Sequence, residues 1–371
     1  MLLRTFIFLA AWQLAQPTLA SQVDITDISG RSVTLEKPVE RFVVSEGRYV
    51  LTLGLLLPDH PIQGLVGMMQ PVSWTYPDLE KQLKARYPEF SEVAIFGGQD
   101  QSSVSVEKII DLKPEVAIFG IQDHGPGAKN AELLNQLEAA GIKVVFIDFR
   151  MDPLQNTIPS LEILGKLFNA ESQLSGYLEY YRQQKALIQQ RVSKVEQRPR
   201  VFIQAHPGRF ECCVGMADGM LGPFVEFAGG INIADAVAPG PTSRHTMEFL
   251  LIENPDIWIG TASGTPEDVS SGKNIVALGA GLSRDQARQS LNRFLSDASF
   301  QALDAVKQQH AYAIWHDFYN SPLNIVALQA FAKWLHPGEF QDTDPNQSLQ
   351  YIFQHYLPFE WKGTAIIGNS L

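Results

Sequence analysis

The chain has 371 residues, a net charge of −11 and two cysteines. That length holds two domains. The acidic balance, with no basic cluster, excludes a surface built for nonspecific nucleic-acid binding. The neighbouring cysteines Cys212 and Cys213 close almost no loop if bridged, so the fold has to stand on its apolar core and not on a disulfide framework.

Residues 1–20 have the pattern of a secretory leader. Arg4 gives the positive start, Thr5 to Leu14 the apolar run, and Thr18-Leu19-Ala20 the small residues before a cleavage site near Ala20. That run is too short to span a bilayer. Export to the periplasm follows as the expected location. Oxidation of Cys212 and Cys213 to a vicinal disulfide is plausible chemistry there, with buried thiols as the alternative.

Ser21 to Pro38 reads as an edge hairpin turning at Ser29-Gly30-Arg31. Arg41 to Val44 opens the first buried strand, followed by Ser45-Glu46-Gly47-Arg48-Tyr49 and a helix through Leu57. Gly64 to Gly67 and Val93 to Gly98 are further short strands. Between them lies a loop and helix holding Trp74, Tyr76 and Tyr87. Val116 to Phe119, a helix from Asn130 to Ala140 and a strand at Val144 to Asp148 complete a first lobe, residues 21–150. Strands alternating with helices imply a parallel sheet covered on both faces.

Residues 151–198 are read as a connector. It starts with a helix from Pro159 to Phe168. A longer one from Ala170 to Gln197 follows, whose apolar stripe is Leu174, Leu178, Tyr181, Ile188, Val192 and Val195. About 25 residues at about 1.5 Å each give a rod of roughly 38 Å, the height of a domain. Residues 199–371 form a second lobe: strand Val201 to Ile203, a Gly-rich turn from Gly215 to Gly222, a helix through Phe227, a helix from Leu291 to Gln309, strand Ala311 to Trp315, a helix from Pro322 to Leu335 and a short one from Leu349 to Leu357. The last ten residues are expected to be loose.

The lobes share a unit. Ser105-Val106-Glu107 leads through a short apolar helix to Pro114 and a strand. Thr246-Met247-Glu248 leads the same way to Pro255 and a strand. Each reads as helix, Pro-terminated turn, buried strand. The fold class is therefore α/β: two Rossmann-like lobes joined by one long helix, with a ligand cleft between them.

With these units placed, the chain resembles the periplasmic substrate-binding proteins of ABC importers for iron–siderophore complexes, haem and cobalamin. The likeness runs from about Asp24 to Leu357. It rests on the order of Asp27-Ile28-Ser29-Gly30-Arg31, Phe96-Gly97-Gly98, Leu112-Lys113-Pro114-Glu115, the long helix, Phe227-Ala228-Gly229-Gly230-Ile231-Asn232, Asn254-Pro255-Asp256 and Lys333-Trp334-Leu335-His336-Pro337. The resemblance implies a monomeric, non-enzymatic carrier without a cofactor. Its partners would be a metal–chelate small molecule, a ferric siderophore first, and a permease in the inner membrane. It also implies that Glu107 and Glu248 meet arginines on that permease. Their place at helix starts suits a carboxylate, and simple capping is the alternative.

Ligands of parallel sheets bind beyond the carboxyl ends of the strands. That rule selects Arg48, Tyr49, His124, His206, Arg209, Trp315, His316 and Tyr319. Trp74 and Tyr76 are expected to overhang the cleft, and Arg244 precedes the second repeated unit. Flat aromatic faces suit conjugated or catecholate ligands, and arginine suits carboxylate or hydroxamate oxygens. Haem, cobalamin or an oxyanion such as molybdate remain alternative cargoes. Eight scattered histidines show no pair at helical ligand spacing, so no bound metal is expected. A secreted enzyme built on His206, Glu211 and Cys212 is the remaining alternative, without a nucleophile elbow, a zinc helix or a phosphate loop.

Overall fold

The computed structural model describes residues 21–98, 100–235 and 240–369, so the expected leader at 1–20 lies outside the described residues. The chain opens with the hairpin β1 (Ser21–Thr26) and β2 (Ser32–Lys37). Its turn is organised by Asp27, whose carboxylate accepts from Ser29 and Arg31 on one side and from the N–H of Phe146 on the other. The first lobe then alternates β3 (Phe42–Val44), α1 (Tyr49–Leu56), β4 (Leu65–Met68), α2 (Pro77–Arg86), β5 (Ala94–Ile95), α3 (Val106–Asp111), β6 (Val116–Gly120), α4 (Ala131–Ala139) and β7 (Lys143–Ile147). These strands form a five-stranded parallel sheet of order β5-β4-β3-β6-β7. Its central strands are apolar throughout and buried on both faces, as a sheet covered by helices requires.

The connector is a pair of helices, α5 (Pro153–Phe168) and α6 (Glu171–Val192), joined through Asn169 in the left-handed region. The α5 helix starts earlier than the sequence suggests. Asp152 caps it and Pro153 occupies its first turn, leaving Pro159 inside the helix. The α6 helix is shorter than expected, 22 residues, a rod of roughly 33 Å. Arg198 beyond its end binds Glu226 and the carbonyl of Gly230. Tyr177 and Tyr181, both buried, donate from α6 to the Pro322 carbonyl at 2.7 Å and to Asn324 at 2.8 Å. The rod is thereby pinned to the second lobe.

That lobe comprises β8 (Arg200–Ala205), β9 (Val214–Met216), α7 (Gly222–Phe227), β10 (Ile231–Asn232), β11 (Thr242–Arg244), α8 (Met247–Glu253), β12 (Ile257–Ala262), α9 (Pro266–Ser270), β13 (Gly279–Ala280), α10 (Arg284–Leu295), α11 (Ala298–Gln301), α12 (Asp304–Lys307), β14 (Ala311–Trp315), α13 (Asn324–Leu335), α14 (Pro345–Tyr356), β15 (Gly363–Thr364) and β16 (Ile366–Gly368). Its sheet runs β11-β9-β8-β12-β14-β16, with β10 beside β8. β8, β12 and β14 are parallel; β9 and β16 are reversed.

Three expectations are corrected here. The Gly-rich turn begins with a strand, β9. The single helix from Leu291 to Gln309 is three pieces, because Ser283 caps an earlier start and the Asp297 side chain takes the N–H of Ser299 in competition with the helix ladder. Through residue 369 the tail is not loose: β16 joins β14 and Ala365 and Ile367 are buried, since its apolar residues complete the sheet edge.

The repeated unit recurs in three dimensions. In both copies the residue before proline, Lys113 or Asn254, has positive φ and stops the helix ahead of a fully buried strand. The two lobes are also tied beyond the rod. Gln82 on α2 exchanges two 2.9 Å hydrogen bonds with the backbone of Glu360, and Arg86 reaches the carbonyl of Pro358.

Candidate functional site

The carboxyl ends of both sheets face each other, and the segments that follow the strands meet there. From the first lobe, Ser45 to Arg48 follows β3 and Asp123-His124 follows β6. Glu46 is completely buried. One of its oxygens accepts the His124 N–H at 3.2 Å and pairs with His124 Nδ1 at 2.8 Å; the other pairs with Arg48 Nε. Burial by itself would raise this carboxyl, but the Arg48 guanidinium and His124 bring it down to about 2. Arg48 also donates across the cleft to Asp317 at 3.0 Å. Asp317 is pushed up to about 6, by burial first, with Arg48 opposing.

Tyr319 lies under two cations, with the Arg48 and Arg150 guanidinium groups 5.3 and 5.6 Å from its ring. Asp123 accepts from Tyr49 at 3.1 Å, from Ser45, and from the N–H groups of Gly120 and Gly125. Burial and the Glu46 charge raise it to about 6.

From the second lobe, His206 follows β8 in the left-handed region (φ 48°), its N–H bonded to the Thr261 carbonyl at 2.8 Å. The next turn needs Gly208: at φ 83° a Cβ there would stand 2.1 Å from the Asn274 carbonyl oxygen. The His206 ring lies 3.7 Å from that of His316, whose Nδ1 meets Thr261 Oγ1 at 2.8 Å. Burial, then Arg209 and Arg48, lower His206 to about 4; burial and His206 drive His316 further below its usual range. Both imidazoles are neutral at pH 7. His206 Nδ1 is buried with no hydrogen-bond partner.

Arg209 reaches the Ser263 carbonyl at 2.9 Å and Asp268 at 3.4 Å. Asp268 is fixed by the Thr265 capping box and by Lys273. A cavity of about 240 Å³ opens between the lobes, lined by Trp74, Thr75, Arg209, Thr265, Gly279 and Trp315 among others. A wider groove of about 870 Å³ is lined by Tyr180, Gln184 and Tyr351, with Trp361 at its edge, and shares no lining residue with the interlobe cavity.

Of the expected ligand residues, Trp74, Arg209 and Trp315 line the cavity. Trp74 is half exposed at its rim. His206 and His316 stack on each other and do not line the cavity. Arg48, Tyr49, Tyr76 and Tyr319 are buried beneath, with Tyr76 edge-on to Trp315 at 4.6 Å between lobes. His124 is 34% exposed and turned to Glu46. Arg244 lies exposed on the edge strand β11 and does not line the cavity.

Glu46, Asp268 and Asp317 were not among the expected residues. Each had a sequence signal: Glu46 two positions before an arginine at a strand end, Asp317 inside the dense Trp315 to Pro322 cluster, and Asp268 in a Thr-x-x-Asp box. Glu107 and Glu248 are exposed in the first turns of α3 and α8, behind the capping residues Ser105 and Thr246. Glu248 is lowered by a backbone N–H and by Thr246. Cys212 and Cys213 are joined to each other.

A family model for periplasmic binding proteins matches residues 72–317. The chain belongs to the periplasmic binding protein family. Members are substrate-binding transport proteins, and the two-lobed architecture is that of the binding proteins of ABC importers.

Among solved structures, the TroA-like periplasmic binding protein FepB from Veillonella parvula superposes with a TM-score of 0.80 at 24% identity, covering 93% of this chain and 99% of that one. Molybdate-bound MolA of Haemophilus influenzae gives 0.66 at 20%, covering 92% and 99%. A periplasmic heme binding protein from Pseudomonas aeruginosa gives 0.56 at 18%, covering 81% and 94%. At these identities the likeness establishes the fold. No curated protein sequence matches the chain.

Among the described residues no group of three or more His, Cys, Asp or Glu side chains is placed to hold a metal ion, and no helix is long and apolar enough to cross a membrane. Of His206, Glu211 and Cys212, Cys212 is bonded to Cys213 and His206 Nδ1 has no hydrogen-bond partner.

Proposed function

We propose that this binding protein captures a compact metal chelate, ferric iron in a small siderophore first, and delivers it to an ABC permease in the inner membrane. The observation that carries this reading is the interlobe cavity itself, walled by Trp74 from one lobe and by Arg209 and Trp315 from the other, with the neutral His206 three residues before Arg209 in the same loop. A neutral imidazole offers a lone pair, which completes the coordination of a chelated metal but does little for an oxyanion. Arg209 and Trp74 at the cavity supply a donor for chelate oxygens and a flat face for an aromatic or catecholate group.

Size narrows the cargo. About 240 Å³ lies below the roughly 300–1,000 Å³ of ordinary small-molecule pockets. That suits a small chelate or an oxyanion better than haem or cobalamin, and it is equally too small for a large siderophore. The leader at residues 1–20 would export the chain to the periplasm, and Glu107 and Glu248, exposed on separate lobes, would meet permease arginines.

A second reading follows the molybdate-bound relative. On that reading the Arg209 guanidinium at the cavity wall holds a small oxyanion. Elemental analysis and absorbance of protein purified under native conditions separate the two. Iron with a visible charge-transfer band is expected; molybdenum without a coloured ligand would overturn the iron reading.

A further inference from the structure

The loop between β8 and β9 carries a feature that cargo binding leaves unused: the bond between Cys212 and Cys213. It joins chain neighbours, so it constrains almost no unfolded chain and adds little as a staple. Its two sulfurs are unequally placed. Cys212 is exposed, and its Sγ lies 3.7 Å from Met247 Sδ at the start of α8. Cys213 is 1% exposed, and its backbone is clipped to His245 by hydrogen bonds of 2.6 and 2.8 Å in both directions. A thiolate arriving from solvent therefore reaches the sulfur of Cys212. Phe210, two residues earlier and 52% exposed, offers apolar surface beside it. The same loop holds Arg209 against Ser263 and Asp268 on the cavity wall.

We propose that Cys212–Cys213 is a thiol–disulfide exchange site for a dithiol reductant, and that its reduction loosens the loop that presents Arg209 to the cavity. In the first step a thiolate of the reductant attacks Cys212 Sγ. A mixed disulfide forms, the bond to Cys213 breaks, and Cys213 leaves as a thiolate that takes a proton. In the second, the other thiol of the reductant attacks its own sulfur of the mixed disulfide. Cys212 is released as a thiol, and the reductant ends as an internal disulfide. Two electrons and two protons pass to the pair. The exchange stands whatever the cargo; only its effect on binding rests on the reading above.

The test uses oxidised chain 21–371 and a thioredoxin-type protein whose resolving cysteine is replaced by serine, so that the first step is trapped. After alkylation, peptide mapping is expected to place the adduct on Cys212 at least tenfold over Cys213. In parallel, hydrogen–deuterium exchange of the oxidised and the phosphine-reduced protein is expected to rise at least tenfold across residues 208–214 and to stay constant in β14. An adduct on Cys213, no adduct, or unchanged exchange across the loop would each overturn the proposal. Both arms use the unmutated protein, so a folding defect cannot imitate either result.

Discussion

The two walls of the cleft bury similar amounts of polar chemistry and treat it differently. On the first-lobe wall, both oxygens of Glu46 are engaged, Arg48 faces two carboxylates, and Asp123 is held by two hydroxyls and two backbone N–H groups. On the second-lobe wall, His206 and His316 are kept neutral; a buried His206 ring nitrogen has no hydrogen-bond partner there, as the buried Tyr76 Oη and Arg150 Nε have none on the first-lobe side. A satisfied buried network costs dearly when one member is lost and has little left for a guest. A neutral donor with spare capacity is where a guest gains most. On the proposed function, the charge network of the first wall holds the lobes in register, and the second wall takes cargo together with Trp74 at the cavity rim. Asp317 shows the boundary: one oxygen takes Arg48, the other has no partner.

The largest expected effect tests the first wall. Arg48→Met leaves Glu46 and Asp317 buried without their countercharge, so it should lower the unfolding free energy by about 3–5 kcal/mol in urea titrations. A loss under about 1 kcal/mol would erase the contrast.

The next concerns protons. His206 is lowered to about 4 from 6.5, so the folded chain binds fewer protons than the unfolded chain between those values. Its contribution is fully present above pH 6.5 and is lost as pH falls toward 4. Relative to His206→Gln, the unmutated protein should lose up to about 3 kcal/mol between pH 7 and pH 4. An imidazole resonance of His206 that titrates above pH 6 would contradict this.

Smaller in energy is the cargo term. Arg209→Ala should weaken binding about tenfold, roughly 1.4 kcal/mol, while stability stays within about 1 kcal/mol. Equal losses in both would make the second wall structural as well. The smallest effect on the isolated protein belongs to Glu107→Ala and Glu248→Ala. Affinity should be unchanged for each, while uptake in permease-containing vesicles falls. Unchanged uptake in the double variant would reduce both residues to helix caps.

The architecture was legible because it rests on local signals. Apolar strands after proline turns, the repeated helix–Pro–strand unit and the amphipathic α6 are all written in short stretches. Helix limits were less so. Asp152 and Asp297 move boundaries through side-chain hydrogen bonds that periodicity does not register. The strand-end rule selects Arg209 and Trp315, which line the cavity, but equally Arg48, Tyr49 and Tyr319, which are buried and do not. Nothing local says that Arg48 faces Asp317, 269 positions away, and is neutralised there, or that Tyr76 spends its ring on Trp315. Charge compensation across two lobes is a tertiary property. The β16 edge was missed for the same reason, since its partner strand lies far earlier in the chain.

The most direct measurement is a tryptophan-fluorescence titration, reporting from Trp74 and Trp315 at the cavity. Compact ferric chelates, haem, cobalamin and molybdate would each be added to the unmutated protein and to His206→Ala. Saturable quenching by a compact ferric chelate, weakened at least tenfold in the variant, is the predicted result. A saturable response to molybdate alone, equal in both proteins, would contradict it.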